Sequence, residues 1–202
     1  TQGYAVKTHS QIEKVIQDKN TSEVLLSDGE RYQFDHVVIA TQPQHAGPMV
    51  AEQQPELADH CYGIPVAVSQ MVVHRDQSIY PRPWQDLSPV CYSVDSKQPR
   101  PMATVCLNKS MNSVKDCLPV FQTWHPTTDI DPSMILANVT FERPVMSYSA
   151  LEHIAAIKAS MKQSNNRIWF CGSYLGGGVP LLEGGISSAL AIANTLGVKT
   201  PW

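Results

Sequence analysis

Short apolar runs separated by polar turns fill the first forty residues, a pattern typical of strands joined by hairpins. It predicts strands at Ile12–Gln17, Ser22–Leu26 and Arg31–Phe34. A hairpin signal, Asp28 followed by Gly29, precedes the third of these strands. The continuous apolar run at residues 37–40 favours a central strand covered on both faces, as in α/β folds.

The region from Pro48 to about Ser147 has a different character. Strand-like segments recur between prolines, asparagines and serines, at Val66–His74 and at residues 90–94, 103–107 and 135–141. The fifteen prolines of the chain concentrate between Pro43 and Pro144, which disfavours helices there. The pattern predicts a mostly antiparallel β domain, with room for one short helix around residues 50–60.

Helical periodicity begins at Ser149. Ser149 and Glu152 have the spacing of a capping box, in which each side chain bonds the backbone N–H near the other residue. Apolar residues follow at helical spacing until Asn165 and Asn166, which we expect to end the helix.

The end of the chain passes from a strand through glycines into a helix. Residues 168–171 form a short apolar run, and Gly172 and the cluster at residues 176–178 follow it. Gly184 and Gly185 then open a helix of small and apolar residues that we expect to stop at Gly197. Glycines allow close approach and a helix N-terminus offers unpaired N–H groups, so this unit is suited to a polar ligand.

The fold class that follows is α/β with α+β character. The two ends of the chain form one sheet, and the antiparallel β region is inserted between them. We expect the boundaries at residues 1–47, 48–148 and 149–202.

Composition narrows the classes of function. The chain has 202 residues, 43% hydrophobic and 16% charged, with a net charge of −3, which gives no basis for nucleic-acid binding. No apolar run approaches the roughly 18 residues of a membrane span. The five cysteines are odd in number and include no C-x-x-C pair, which predicts free thiols and a cytoplasmic location. Neither the cysteines nor the seven histidines have metal-site spacing, so we expect no metal.

Two nucleotide-binding motifs do not match the glycines near the end of the chain. A P-loop requires Gly-Lys-Ser/Thr, whereas Gly184 and Gly185 precede Ile186. A dinucleotide fingerprint requires G-x-G-x-x-G, and Gly172 and Gly176 do not have that spacing.

The end segment instead resembles the flavin-contacting motif of the flavin-containing amine oxidase superfamily. The matching residues are Trp169 to Ser173, then Leu182 to Gly185, then Ser187 to Ala189. A second segment, Phe34 to Thr41, is similar to the superfamily strand that runs under the cofactor and ends in Ala-Thr. The similarity is loose between Pro48 and Ser147, although residues 141–145 are like a bacterial subgroup of FAD-binding oxidoreductases.

This resemblance implies an FAD-dependent oxidoreductase that removes a hydride from a C–N or C–C bond of a small-molecule substrate. Segments 1–47 and 149–202 would then belong to a Rossmann-like FAD-binding domain, and segment 48–148 would be the substrate domain. The implied cofactor-binding residues are Thr41, Gly172, Ser173, Leu182, Glu183, Gly184 and Gly185. Glu183 has a simpler interpretation, as a residue that complements the helix dipole. No catalytic residue can be assigned.

Several positions in the middle region have a weaker resemblance to the same subgroup. The pattern formed by His74, Asp76, Tyr80, Pro81 and Arg82 is similar to one in the subgroup and would line the substrate pocket. Tyr92, Trp124 and Tyr174 are either aromatic walls facing a flavin or ordinary packing residues, and Cys171 is a core cysteine. The subgroup histidine before the last helix is absent, because this chain has Val179 to Gly184 there.

The superfamily motif for the ADP half of FAD, G-x-G-x-x-G, does not occur in the chain. We therefore expect a C-terminal part of a longer protein that alone binds FAD weakly or not at all and is inactive. The sheet edge left open would favour self-association. The alternatives are a non-catalytic binding or assembly module and, less well matched, a nicotinamide-dependent dehydrogenase.

Overall fold

The computed structural model describes residues 5–80, 82–94 and 101–199, so Pro81 of the middle-region pattern lies outside the described residues. The described residues form ten strands and five α-helices in several sheets, a mixed α/β fold as predicted. They divide into two compact units. The first unit runs up to Val66 and resumes at Pro144, and the second unit is Ala67–Arg143.

The first unit begins with a three-stranded antiparallel sheet at the predicted positions. Its strands are β1 (Ile12–Gln17), β2 (Ser22–Leu26) and β3 (Arg31–Phe34). The Asp18 carboxylate accepts hydrogen bonds from the backbone N–H groups of Asn20 and Thr21, which closes the turn between β1 and β2.

The next strand, β4 (Val37–Ile39), pairs with β10 (Ile168–Phe170) near the other end of the chain. The pairing is parallel, with Val38 opposite Trp169. In the part of the chain described, these two strands form a sheet of their own. Val38 is 45% exposed, so β4 is not covered on both faces as its apolar run predicted. The Rossmann-like character of this sheet stays a prediction.

Two helices follow β4 in the region where prolines predicted almost none. They are α1 (Pro43–Val50) and α2 (Pro55–Tyr62). The second confirms the short helix expected around residues 50–60, whereas α1 was not predicted. The omission of α1 has a physical reason. Each helix starts with a proline in its first turn. A backbone N–H at that position makes no intrahelical hydrogen bond, so proline there removes none. Pro48 lies inside α1, which is only eight residues long.

The later helices of the first unit are α4 (Tyr148–Ser160) and α5 (Leu182–Thr195). The predicted capping box at Ser149 was wrong, because the N-cap is Ser147, whose Oγ accepts a hydrogen bond from the N–H of Ala150. The helix also ends at Ser160, before the predicted stop. The buried core of the unit joins β1, β2, β4, β10 and the helices α1, α2 and α4 through Val15, Val24, Ile39, Ala46, Val50, Leu57, Ala58, Ile154, Ile157 and Phe170.

The second unit is built on a five-stranded sheet. Its strands are β5 (Val66–His74), β6 (Val90–Ser93), β7 (Met102–Cys106), β8 (Phe121–Trp124) and β9 (Ile135–Pro144), in the order β6-β7-β8-β5-β9. The β6–β7, β7–β8 and β5–β8 pairs are antiparallel, as predicted. The sequence prediction missed β8, which is only four residues long, and the short helix α3 (Leu107–Ser110).

All five cysteines fall within the described residues and are unpaired, as predicted. Within the described ranges, no helix is both long enough and apolar enough to span a membrane.

Candidate functional site

The carboxyl ends of the parallel strands β4 and β10 lie side by side. Thr41 comes just after β4, and Gly172 comes just after β10. Gly172 has φ +155°, a conformation that side chains rarely adopt. A Cβ at Gly172 would lie 2.8 Å from Cε1 of Tyr174 and 3.9 Å from the backbone oxygen of Thr41. The chain therefore needs glycine where it leaves the sheet.

Ser188 connects this strand end to helix α5. Its buried hydroxyl accepts a hydrogen bond from the Gly172 N–H at 3.0 Å. The same oxygen lies 3.0 Å from the Gly172 carbonyl and 2.8 Å from the Gly185 carbonyl, one of which accepts its proton. The side chain thus fixes the first turns of α5 against the end of β10.

The short 3₁₀ turn Ser173–Leu175 packs against the start of α5 through backbone atoms. A Cβ at Gly176 would lie 2.2 Å from Cα of Gly184, and a Cβ at Gly184 would lie 2.9 Å from the Ser173 carbonyl oxygen. No side chain fits between these segments. Gly184, one of the predicted cofactor-binding glycines, is therefore needed first for packing within the protein, as is Gly176.

At the remaining glycines of the segment, no neighbouring atom lies close enough to exclude a side chain. A Cβ at Gly185 would meet only the Ser173 nitrogen, at 3.7 Å, an ordinary contact. Gly177 and Gly178 have φ values of +85° and +68°, and a Cβ added at either would have nothing within 4 Å. Gly185 is thus the helix glycine whose missing side chain the fold itself does not require.

The N-terminus of α5 offers hydrogen-bond donors beside exposed apolar surface. The N-cap residue, Leu181, provides no side-chain cap, and Glu183 is an exposed acidic residue of the first turn. Leu181 and Leu182 are 62% and 82% exposed. Residues 172–185 contain no lysine or arginine. Backbone donors next to apolar surface suit a flat, largely apolar group that carries hydrogen-bond acceptors along one edge.

The structure brings most of the sequence-predicted cofactor residues to one place. The Ser173 backbone lies beside Gly184 and Gly185, and Gly172 lies beside Thr41 and is hydrogen-bonded to the helix through Ser188. Leu182 and Glu183 lie exposed on the first turn of the same helix. This donor set fits the acceptor edge of a flavin ring, and direct contact with the cofactor stays a prediction.

The other residues considered from the sequence are either buried beside this segment or belong to the second unit. Tyr174 belongs to the buried core of the first unit, and burial raises the pKa of its hydroxyl. Cys171 is also buried, which raises the pKa of its thiol and agrees with a core role. In the second unit, Tyr92 is 72% exposed, and Trp124 lies under the Arg143 guanidinium at 4.2 Å.

A buried polar row crosses the sheet of the second unit. His74 Nε2 lies 2.8 Å from Thr123 Oγ1, which lies 3.0 Å from Thr104 Oγ1. All three residues are buried. His74 was among the residues predicted to line the substrate pocket, whereas neither threonine was predicted. The inward positions of the threonines on β7 and β8 follow from strand alternation once β8 is known.

Electrostatics around this row keep His74 neutral. Burial lowers the pKa of His74 below its ordinary value, against a smaller opposing effect of Asp76. Asp76 accepts hydrogen bonds from the Asp131 N–H and from Ser78, and these bonds lower the pKa of its carboxyl group.

The close approach of the two glycine segments can be tested with three alanine variants. We expect Gly176→Ala and Gly184→Ala to lower the free energy of unfolding by about 1–3 kcal/mol, because the added methyl overlaps backbone atoms. Gly185→Ala is the matched control and should leave stability unchanged or slightly raised, since alanine favours helix. The measurement is urea denaturation followed by circular dichroism. Equal effects at Gly184 and Gly185 would contradict the packing described.

Burial of neutral His74 predicts a pH dependence. Because its pKa is lower in the folded protein than in the unfolded chain, the unfolded chain binds more protons below about pH 6.5. The free energy of unfolding is therefore not reduced by His74 above that pH. It decreases as the pH falls below it, by at most about 1.4 kcal/mol per pH unit. Denaturation of wild type and His74→Gln between pH 5 and 7.5 measures the slope. The slope should decrease in His74→Gln and persist in the exposed-residue control His45→Gln.

No protein-family model and no curated protein sequence matches the chain. Solved structures do match it. A protein provisionally named a protoporphyrinogen oxidase, from Exiguobacterium sp. 255-15, has a TM-score of 0.60 and 11% sequence identity over 93% of this chain and 46% of its own. A reduced UDP-galactopyranose mutase has the same TM-score and identity over 94% of this chain and 47% of its own.

A third match is a fatty acid isomerase from P. acnes, described as producing CLA. Its TM-score is 0.55 and its identity 9%, over 94% of this chain and 48% of that protein. The chain thus spans a little under half the length of each solved structure. The chain shares the fold of these three proteins over the part of each that it covers.

Proposed function

We propose that the chain forms part of an FAD-dependent oxidoreductase that removes a hydride from a C–N or C–C bond of a small-molecule substrate. One observation carries the proposal. The N-terminal turns of α5, without a side-chain cap, pack against the segment that directly follows β10, the parallel partner of β4, in a fold shared with FAD-binding proteins. Ligands of open parallel sheets bind at such strand ends.

The two ends of the chain and its middle region would have separate roles. Residues 1–47 and 149–202, which belong to the first unit, would hold the cofactor, and residues 48–148, which include the second unit, would supply the substrate-binding surface. Bound FAD would supply the hydride acceptor. Backbone N–H groups of α5 would stabilise negative charge on the ring, while Thr41, Gly172 and Ser173 would lie near the strand ends. Gly185 would allow the backbone to approach the ring.

FAD binding by the product of the complete reading frame tests this proposal. We expect the purified protein to show the visible absorption bands of oxidised flavin. Gly185→Ala should weaken FAD binding at least about tenfold without lowering stability, because its methyl group blocks only the ligand side. Fluorescence titration of FAD measures the affinity, and the present chain alone should bind weakly or not at all.

The matched control is Thr195→Ala, an exposed position at the far end of the same helix. It should change neither affinity nor stability. A full-length product that stays colourless in excess FAD would contradict the proposal, and so would unchanged FAD affinity in Gly185→Ala.

A second candidate is an assembly module, and the outer edge of β10 favours it. On that edge the Phe170 N–H donates to the Met161 sulphur, and the Ile168 carbonyl accepts from the Asn166 side chain. Neither contact is a backbone hydrogen bond to another strand. A cavity of about 380 Å³ lined by Met161, Trp169 and Ile192 lies nearby. Edges of this kind take up another strand.

For this edge we expect concentration-dependent self-association of the chain. Met161→Lys places a charge beside the edge and should shift the chain toward monomer. Met111→Lys, at an exposed position in the second unit, is the control and should not. Sedimentation velocity over a range of concentrations measures both variants, and a wild-type chain that is monomeric throughout would disprove self-association.

A further inference from the structure

Helices α2 and α4 bring two histidines together. Nδ1 of His60 lies 3.1 Å from Nδ1 of His153, and the two ring centroids are 5.4 Å apart. The residues are 93 positions apart in the sequence, so local spacing does not reveal them as a pair. Both helices belong to the first unit, and the pair includes none of the candidate cofactor residues.

The two facing nitrogens share one proton. A neutral imidazole has one N–H donor and one acceptor nitrogen, so one ring donates and the other accepts. A divalent metal ion can replace this proton, because it binds the lone pairs of both nitrogens, and imidazole is a good ligand for zinc, copper and nickel. Metal–nitrogen bonds of about 2.0–2.1 Å place neighbouring ligand nitrogens about 2.8–3.4 Å apart. The observed separation of 3.1 Å is within that range.

Gly63 makes room for the His153 ring. A Cβ added at Gly63 would lie 2.3 Å from both Cε1 and Nε2 of that ring. The φ of Gly63 is −69°, which any residue adopts, so backbone conformation does not require glycine there. The ring lies directly against the residue that ends α2, and its Nδ1 faces His60. The missing side chain at Gly63 therefore positions one of the two candidate ligands.

Access and local charge favour a cation at the pair. Both histidines are partly exposed, so an ion can reach them from solvent. The ionisable side chains of α2 and α4 besides the histidines and Cys61 are three carboxylates and one lysine, if the tyrosines are left aside: Glu56, Asp59, Glu152 and Lys158. Glu56 lies four residues before His60 and therefore on the same face of α2.

The protein supplies two ligands, and water would complete the coordination. Cys61 follows His60 in the chain but is fully buried, and burial raises the pKa of its thiol to about 12. Its thiol is therefore not a candidate ligand. Within the described ranges, no group of three or more His, Cys, Asp or Glu side chains is placed to hold a metal ion. The site is thus open, unlike a structural zinc site with four protein ligands.

We propose that His60 and His153 bind one divalent transition-metal ion through their Nδ1 atoms and so join α2 to α4. The ion takes the place of the shared proton, and the ring that donated the proton releases it to solvent. The proposal does not require bound FAD.

Calorimetric titration of the chain with Zn²⁺ alone at neutral pH tests the proposal. Exposed thiols are alkylated first, because thiolates also bind zinc. We expect one Zn²⁺ per chain in the phase of highest affinity. His60→Gln and His153→Gln should each lower that affinity at least about tenfold, and the double variant should lower it little further. This lack of additivity indicates one shared ion, since two independent sites would each lose only their own ion.

Gly63→Ala tests the geometry of the pair separately from its chemistry. This variant keeps both histidines but displaces the His153 ring, so it should also lower the zinc affinity. The matched control is His45→Gln, which removes an exposed histidine of α1 and should leave the affinity unchanged. Mg²⁺, which prefers oxygen ligands, should not bind. Circular dichroism shows whether each variant is folded.

Several results would overturn the proposal. They are absence of zinc binding by the wild-type chain, an affinity that survives either histidine substitution, and loss of a separate equivalent of zinc in each single variant. Unchanged affinity in Gly63→Ala would also overturn it. Equal binding of Mg²⁺ would assign the ion to the carboxylates instead. None of these outcomes depends on FAD.

Discussion

The backbone contact between residues 172–176 and the first turn of α5 is the constraint on which the first unit depends. Gly176 and Gly184 approach so closely that no side chain fits between them, and the Ser188 hydroxyl joins the helix to Gly172. Because Gly172 follows directly after β10, this contact fixes the helix relative to the strand. The parallel pairing of β10 with β4 then fixes both relative to Thr41. Packing within the protein thus holds the candidate cofactor residues together.

The second unit uses a different device, a polar row inside an otherwise apolar layer. His74, Thr123 and Thr104 are on three neighbouring strands, so their hydrogen bonds run across the sheet. Such a row is costly unless its members are satisfied, which constrains the strand register strongly.

Much of the fold could be predicted from local sequence pattern. Strands β1, β2, β3 and β5 have the predicted bounds, because alternation and turn residues act over a few neighbouring positions. The predictions were wrong where one residue type can have either of two structural roles. Pro43 and Pro55 start helices rather than prevent them. Ser147 caps a helix although Ser149, followed by Glu152, is the serine with capping-box spacing. The threonine row could not be predicted, since it depends on which strands are neighbours in the sheet.

The glycines of the end segment show why a motif match alone does not identify a binding residue. Packing requires Gly176 and Gly184, and backbone conformation requires Gly172, whatever the chain binds. Gly185 differs, because alanine would fit there without contact closer than 3.7 Å and would favour the helix. Because the fold does not require Gly185, a substitution there can change ligand binding without changing the free energy of unfolding. The function of this segment therefore depends less on how many glycines it has than on whether Gly185 affects binding while stability stays constant.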